Sequence, residues 1–331
     1  MRNKILDILS SSQGEFISGE SISETLEITR AAVWKQIKNL KDAGYVIEGQ
    51  TKKGYRLLST PCFLDQWALK KELRTNTLCK ELYLFEELPS TNEYCKDLVR
   101  QGASHGTVVI AKKQTQGHGR MQRSWESPLG GLWLSVILKP SLNLGEVAKL
   151  TLSTGVALGE TLRQLYDIPV GIKWPNDIVV EGKKIAGILG EVVGEWNTVH
   201  TLILGIGING NFPRNALSPD LPATTLQDIL QKDIDLNLLA RELLRQLEKE
   251  VSSLEAGDSQ GLLRRWTGLA LGIGEEVIIQ RANQIFKGIF KGIRENGELI
   301  LEIDGQEMNF SSGEVSLRSE KDYSPNQSSR K

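Results

Sequence analysis

The first 60 residues carry the pattern that most restricts the fold of this 331-residue chain. Apolar residues recur at helical spacing in three short stretches, and Ser18 and Thr29 can cap the second and third of the helices that this spacing predicts. Gly44 is expected to end the third helix, and two strand-like runs flank the turn-forming residues 52–54. Three short helices followed by a hairpin predict a winged helix-turn-helix domain.

The charge of this region is unevenly distributed, although the whole chain has a formal net charge of −1. Residues 1–28 hold two basic and five acidic residues, whereas residues 29–56 hold seven basic and two acidic residues, a net charge of +5. In a winged helix-turn-helix the third helix lies in the major groove and the wing touches phosphates. A charged helix face is often only solvated, but charge, caps and hairpin together favour a DNA-binding surface.

The rest of the chain divides into two further regions. Strand-like runs (82–85, 108–111, 132–138 and 201–206) alternate with helical runs (92–100, 147–165 and 236–254), which predicts a mixed α/β domain. After Gly272, runs at 276–280, 285–293, 299–303 and 315–318 with Gly-containing turns predict a small β-barrel. We therefore expect a multidomain α+β protein with domains at 1–60, 65–270 and 271–318, a linker at 59–61 and a flexible tail at 319–331.

The N-terminus lacks the features of a signal peptide, and no apolar run is long enough to span a bilayer. The three cysteines, Cys62, Cys79 and Cys95, show no C-x-x-C spacing. We expect a cytoplasmic protein with no membrane segment, disulfide framework or zinc knuckle.

The segment 114–125, QTQGHGRMQRSW, contains the densest set of binding residues. Gly117 and Gly119 let the backbone approach a ligand, Arg120 and Arg123 suit carboxylates or phosphates, and Trp125 offers a face on which a base can stack. A passive turn would not require two arginines and a tryptophan. The segment therefore predicts an anion-binding loop.

Two further segments add polar groups. Pro175, in the run KWPND at 173–177, predicts a bent or edge strand that directs Asn176 and Asp177 out of the sheet, where Asp177 would bind Mg²⁺ or pair with a lysine. The run GIGING at 205–210 resembles a dinucleotide fingerprint, but no helix or distant acidic residue follows it. We interpret it as a strand end whose glycines admit a ligand, with Asn209 hydrogen-bonded to that ligand. Without a P-loop or catalytic triad, these groups favour nucleotidyl transfer, in which a carboxylate attacks a phosphate.

Four segments in this order, 90–92 (STN), 117–120 (GHGR), 173–177 (KWPND) and 184–188 (KIAGI), resemble the bifunctional biotin–[acetyl-CoA-carboxylase] ligase and biotin operon repressor family over nearly the whole chain. The resemblance implies a biotin/lipoate ligase-like (class II synthetase-like) catalytic domain and a C-terminal SH3-like barrel. It also implies that biotin and ATP, with Mg²⁺, form biotinyl-5′-AMP, and that biotin passes to a lysine of the biotin carboxyl carrier protein.

The resemblance also implies the roles of individual residues. The catalytic residues would be Lys184, Arg120 and Asp177, with Asp177 also the metal ligand. Biotin would be bound by Ser90, Thr91, Asn92, Gln114, His118, Gly119, Arg120 and Lys184, and the nucleotide by Arg123, Trp125, Asn176 and Asn209. The family's usual loop has an arginine where this chain has His118.

The repressor function implied by the resemblance needs a homodimer, formed when biotinyl-AMP is bound, on operator DNA of biotin genes. The DNA-binding residues would be Gly19, Glu20, Thr29, Arg30, Ala31, Ala32, Lys35, Lys38, Lys52 and Lys53. Three alternatives remain open at this stage: a ligase with a vestigial DNA-binding domain, a lipoate–protein ligase, and a transcription factor that only senses a metabolite.

Overall fold

The structure, a computed structural model, describes residues 1–140, 147–194, 201–281, 284–311 and 313–316, so the predicted tail lies outside the described residues. The chain forms two compact units. The first comprises Met1–Leu73 with Asp235–Leu238, and the second comprises the remainder. Among the described residues, no helix is both long enough and apolar enough to cross a membrane.

The first unit contains the three predicted helices and the predicted hairpin. Ser18 Oγ accepts a hydrogen bond from the Ser21 N–H, and Thr29 Oγ1 accepts one from the Ala32 N–H, as expected of N-caps. Gly44 follows the third helix with φ +83°, a conformation that favours glycine. The elements are α1 (Arg2–Ser11), α2 (Gly19–Leu26), α3 (Arg30–Asp42), β1 (Val46–Gln50), β2 (Gly54–Ser59) and α4 (Gln66–Lys71).

A buried carboxylate links the elements of the first unit. Asp65 caps α4 and accepts hydrogen bonds from the Tyr45 hydroxyl at 2.6 Å and from Arg2 at 2.5 Å. Burial alone would raise the pKa of Asp65, but the hydrogen bonds from Tyr45, the Ala68 N–H and Arg2 outweigh it and lower the pKa. The Asp65 N–H also donates to Asn237 Oδ1 at 2.8 Å. The hydrogen bonds of Asp65 therefore join four parts of the unit that are distant in sequence.

The second unit is built on a seven-stranded mixed sheet of order β3-β4-β5-β9-β8-β7-β6, in which β3 and β4 are parallel and the other neighbours antiparallel. One face is covered by α5, whose Cys95 and Leu98 pack against Ile203. The other face is covered by α6, where Gly155 faces Ile188. The strands are β3 (Leu82–Leu88), β4 (Val108–Gln114), β5 (Leu132–Leu138), β6 (Gly171–Lys173), β7 (Asp177–Val180), β8 (Lys183–Val193) and β9 (Thr201–Ile208).

The helices of the second unit include the three that the sequence predicts. The first residues of α8, up to Leu238, are grouped with the first unit. The helices are α5 (Thr91–Arg100), α6 (Val147–Tyr166), α7 (Leu226–Leu230), α8 (Leu236–Glu255) and α9 (Ser259–Thr267).

The C-terminal region forms a five-stranded antiparallel sheet of order β13-β12-β11-β10-β14. One of its strands, β13, is absent from the sequence prediction, because QEMNF is mostly polar and has one buried residue. The turn at Asp304 and Gly305 is one of the Gly-containing turns of this region; it has positive φ at both residues and connects β12 to β13. The strands are β10 (Glu276–Arg281), β11 (Gln284–Ile293), β12 (Leu299–Ile303), β13 (Gln306–Phe310) and β14 (Glu314–Ser316).

Candidate active site and nucleic-acid interface

Buried polar side chains cluster where β4 ends and α5 begins. Ser90 caps α5, and Ser90, Thr91 and Asn92 are each 4% exposed. Gln114 Oε1 accepts hydrogen bonds from the Thr91 N–H at 2.8 Å and from the Thr91 hydroxyl at 3.1 Å. The structure thus brings together four of the eight residues that the resemblance assigns to biotin.

Three residues that the sequence analysis missed complete this cluster. Ser135 Oγ lies 2.7 Å from Thr91 Oγ1 and 2.5 Å from Asn92 Oδ1. Asn92 Nδ2 donates to Glu191 at 2.7 Å, and Lys96 pairs with Glu191 at 2.9 Å. Ser135 had a usable signal, since it is the one hydroxyl in the apolar strand LWLSVIL. Burial would raise the pKa of Glu191, but hydrogen bonds from Lys96 and Asn92 outweigh it and lower the pKa.

His118 points into the same cluster. Its Nε2 atom lies 3.8 Å from Glu93 Oε1 and 3.7 Å from Glu191 Oε2, and it is buried with no hydrogen-bond partner among the described residues. One nitrogen or oxygen atom from each of Glu93, His118 and Glu191 lies within 4.8 Å of the others, so these three side chains form a group that could hold a metal ion. Lys96 contacts both carboxylates of this group at 2.7 and 2.9 Å, so its ammonium offsets part of their negative charge within the protein.

The glycine-containing loop folds back on itself. The Gly119 N–H donates to Arg123 O, and the Trp125 N–H donates to Gly117 O. A side chain at position 117 would collide with this arrangement, because its Cβ would lie 2.6 Å from Trp125 O. Arg120 is half-buried, whereas Arg123 is exposed. Both arginines therefore lie on a loop whose shape depends on Gly117.

A second group of side chains surrounds Lys184. Its Nζ lies 2.6 Å from Asp177 Oδ1 and 4.9 Å from the centroid of the Trp125 ring. The structure therefore places Asp177 as a lysine partner, one of the two roles expected from the sequence. Asp177 alone does not form a metal site. Its one carboxylate would suit a metal ion whose other ligands include the phosphate oxygens of a nucleotide.

The glycines of β8 and β9 make room for these side chains. A Cβ at Gly205 would lie 2.4 Å from Asn92 Oδ1, one at Gly207 would lie 2.6 Å from Trp125 Nε1, and one at Gly187 would lie 3.1 Å from Trp125. In the run 205–210, which was expected to admit a ligand, the spaces beside Gly205 and Gly207 are occupied by the side chains of Asn92 and Trp125. The strand assignment of 205–208 is confirmed.

Asn176 and Asn209 point away from the positions expected of them. Asn176 Nδ2 donates to Ile188 O at 2.7 Å and so fastens the turn after edge strand β6 to β8. Asn209 is 2% exposed and donates to Thr224 O at 2.9 Å. Both amides hydrogen-bond to backbone carbonyl groups and so hold backbone segments in place. The residue type alone does not distinguish this role from contact with a ligand. The expectation that Asn176 is aimed out of the sheet is wrong, because its side chain binds the neighbouring strand.

The first unit presents the basic surface that the sequence predicts. Gly19, Glu20, Arg30 and Lys52 line an open groove of about 520 Å³ between α2, α3 and the hairpin. Arg30 forms an ion pair with Glu20. The other exposed residues of the predicted DNA-binding set are Thr29, Ala31, Lys35, Lys38 and Lys53, whereas Ala32 is half-buried.

Fold and site together define an α/β enzyme domain with a glycine- and arginine-containing loop beside a buried polar cluster, in a chain that also contains a winged helix-turn-helix. Comparisons with known proteins identify the family within this class. Residues 84–209 match the Biotin/lipoate A/B protein ligase family, residues 1–56 match an HTH domain, and residues 272–318 match the Biotin protein ligase C terminal domain.

The chain is 36% identical over 305 residues to the bifunctional ligase/repressor BirA of Bacillus subtilis, covering 91% of this chain and 94% of that relative. It is 34% identical to BirA of Escherichia coli over 311 residues, covering 92% and 94%. A biotin protein ligase from Aquifex aeolicus, solved with biotin and ATP, superposes with a TM-score of 0.62 and 31% identity, covering 72% of this chain and 98% of that one. The chain therefore belongs to the bifunctional biotin ligase/repressor family.

Proposed function

We propose that this chain joins biotin to a carrier protein in two steps and represses transcription when its adenylate is bound. In the first step a biotin carboxylate oxygen attacks the α-phosphorus of ATP, and pyrophosphate leaves. In the second, the ε-amine of a lysine on the biotin carboxyl carrier protein attacks the acyl carbon, and AMP leaves. The buried cluster of Ser90, Thr91, Asn92 and Gln114 carries this proposal, since it offers oriented donors and acceptors in a fold shared with a biotin-bound ligase.

The polar cluster suits the ureido ring of biotin. Its members are already hydrogen-bonded to one another and to Ser135, so little conformational freedom is lost when a ligand replaces some of these contacts. His118, Gly119 and Arg120 would close over biotin and the adenylate. Exclusion of water by the loop protects the mixed anhydride from hydrolysis.

Lys184 suits the reacting carboxylate and the bridging phosphate. Its ammonium group would exchange Asp177 for the substrate anions, while Trp125 and Arg123 face the nucleotide. Mg²⁺ would enter with the triphosphate, and Asp177, released from Lys184, would supply one carboxylate ligand. Asn176 and Asn209 would act by holding the backbone around the nucleotide.

Each of three segments would have its own part: residues 1–60 would bind DNA, residues 65–270 would form the adenylate, and residues 271–318 form the C-terminal sheet. Repression would need a homodimer that places two winged helices on a two-fold operator of biotin genes. The free thiols of Cys62, Cys79 and Cys95 fit the reducing cytoplasm.

Labelling of a biotin carboxyl carrier domain, dependent on biotin and Mg-ATP, tests the ligase. We expect biotin to be transferred and lipoate to be rejected. Transfer of lipoate in place of biotin would establish the lipoate–protein ligase alternative, and an absence of pyrophosphate release would leave only a metabolite-sensing regulator. DNA binding in the presence of biotin and ATP separates the repressor from a ligase with a vestigial domain.

A further inference from the structure

The basic surface of the first unit carries a large aromatic side chain that none of the expected DNA contacts includes. Trp34 lies on α3 and is 59% exposed. The buried stripe of α3 is formed by Val33, Ile37 and Leu40, so the core of the unit is complete without the indole ring. Trp34 is therefore free to contact a partner.

The neighbours of Trp34 identify the chemistry of that partner. Arg30 and Lys38 lie one helical turn before and after it on the exposed face, and the Lys38 ammonium lies 5.9 Å from the centroid of the indole ring. Lys35 is the next residue and is also exposed. An exposed aromatic ring with one ammonium beside it, on a helix that carries two further exposed cations, suits a polyanion that also offers an apolar group. Duplex DNA does so in its major groove.

We propose that Trp34 reads sequence in the DNA bound by this chain, by packing its indole ring against the 5-methyl group of a thymine in each half-site. The methyl group is the apolar feature of the major groove, and a side chain near the start of the recognition helix is placed to meet base edges. Trp34 is the fifth residue of α3. This inference rests on the proposed DNA-binding function.

Selection from a pool of random-sequence duplexes, with the full-length chain plus biotin and ATP, provides the preferred site. Each thymine of that site is then replaced singly by deoxyuridine, which removes only the methyl group. We expect one position in each half-site where the replacement weakens wild-type binding about fourfold, the effect of one buried methyl-sized group. Trp34→Ala should bind the thymine duplex and the deoxyuridine duplex equally, and its binding should keep the wild-type salt dependence.

Lys35→Ala is the matched control on the same helix. It should weaken binding to all duplexes, reduce the salt slope by about 0.9 per protomer and keep the sensitivity to deoxyuridine. Carrier labelling should be unchanged in both variants, and a wild-type circular dichroism spectrum and thermal unfolding curve confirm that the first unit folds in each. Equal deoxyuridine sensitivity in Trp34→Ala and wild type, or none in wild type, would overturn the inference while leaving the repressor intact. If wild type selects no duplex, both the repressor and this inference fail.

Discussion

The ammonium group of Lys184 has two neighbours of opposite character, the carboxylate of Asp177 and the aromatic face of Trp125. Lys184→Ala removes the positive charge that we assign to the reacting carboxylate and phosphate. We expect loss of at least 100-fold in biotin-dependent ATP–pyrophosphate exchange, comparable with the removal of other groups that stabilise transition-state charge. Lys183→Ala, at the exposed neighbouring position, is the control and should retain exchange. Wild-type exchange in Lys184→Ala would remove this residue from the site.

Residue type selects some candidate site residues from the sequence, and the roles assigned to them stay predictions. Lys184, Gln114 and the loop glycines could be singled out because charge, amide groups and absence of a side chain each suit few roles. Glu191 and Ser135 were missed because their importance arises from strand pairing, which brings β5, β8 and β9 together across long sequence separations. Asn209 was expected to contact a ligand, yet its amide holds Thr224.

Two glycines of strand β9 make room for side chains that we assign to different substrates, Asn92 to biotin and Trp125 to the nucleotide. Gly205→Ala would displace Asn92, and Gly207→Ala would displace Trp125, because each new Cβ would lie within 2.6 Å of the side chain. We expect Gly205→Ala mainly to raise KM for biotin and Gly207→Ala mainly to raise KM for ATP, each by about tenfold or more. Gly155→Ala, whose Cβ would be 3.4 Å from Ile172, should leave both values unchanged. Equal effects of the two β9 variants on both substrates would contradict the assignment of separate subsites.

The elements of the first unit should lose stability in acid through Asp65. Its pKa is lowered in the folded state, so its contribution is present above the unfolded-state pKa of about 3.9 and is lost as the pH falls through the folded-state pKa. At pH 7, Asp65→Asn should destabilise the unit by about 1–3 kcal/mol. Unfolding measured between pH 2 and 7 should show this difference shrinking below pH 4. Glu24→Gln, at an exposed site, should show no such difference, and a constant difference in Asp65→Asn would exclude ionisation as the cause.

Elements with caps, turns and strong periodicity could be predicted from the sequence. The limits of α3 and β5 lie close to those expected, because α3 has a cap at Thr29 with a complete apolar stripe and β5 is an entirely buried run. Strand β13 could not be found in this way, since its pairing with β12 and not its own pattern keeps it extended. The order of strands in the seven-stranded sheet likewise depends on packing that no local pattern encodes.

At the scale of the whole molecule, the two proposed activities should respond differently to salt. With about five phosphate contacts per protomer, the logarithm of the DNA association constant should fall against the logarithm of salt concentration with a slope of about −9 for a dimer. Lys52→Ala combined with Lys53→Ala should make this slope less steep by about 3.6 for the dimer and leave carrier labelling at the wild-type rate. A slope near zero for the wild type would argue against a DNA-binding dimer.

The amide of Asn237 limits how the DNA-binding part can be removed. This side chain is fully buried and donates to Pro61 O and Phe63 O, while its Oδ1 accepts from the Asp65 N–H. A shortened protein that starts at Pro61 keeps all three partners, whereas one that starts at Arg74 leaves the amide unsatisfied at the beginning of α8. Any ligase derived from this chain by loss of its winged helix would therefore have to retain the short segment 61–65 or replace Asn237 by a residue with no polar groups.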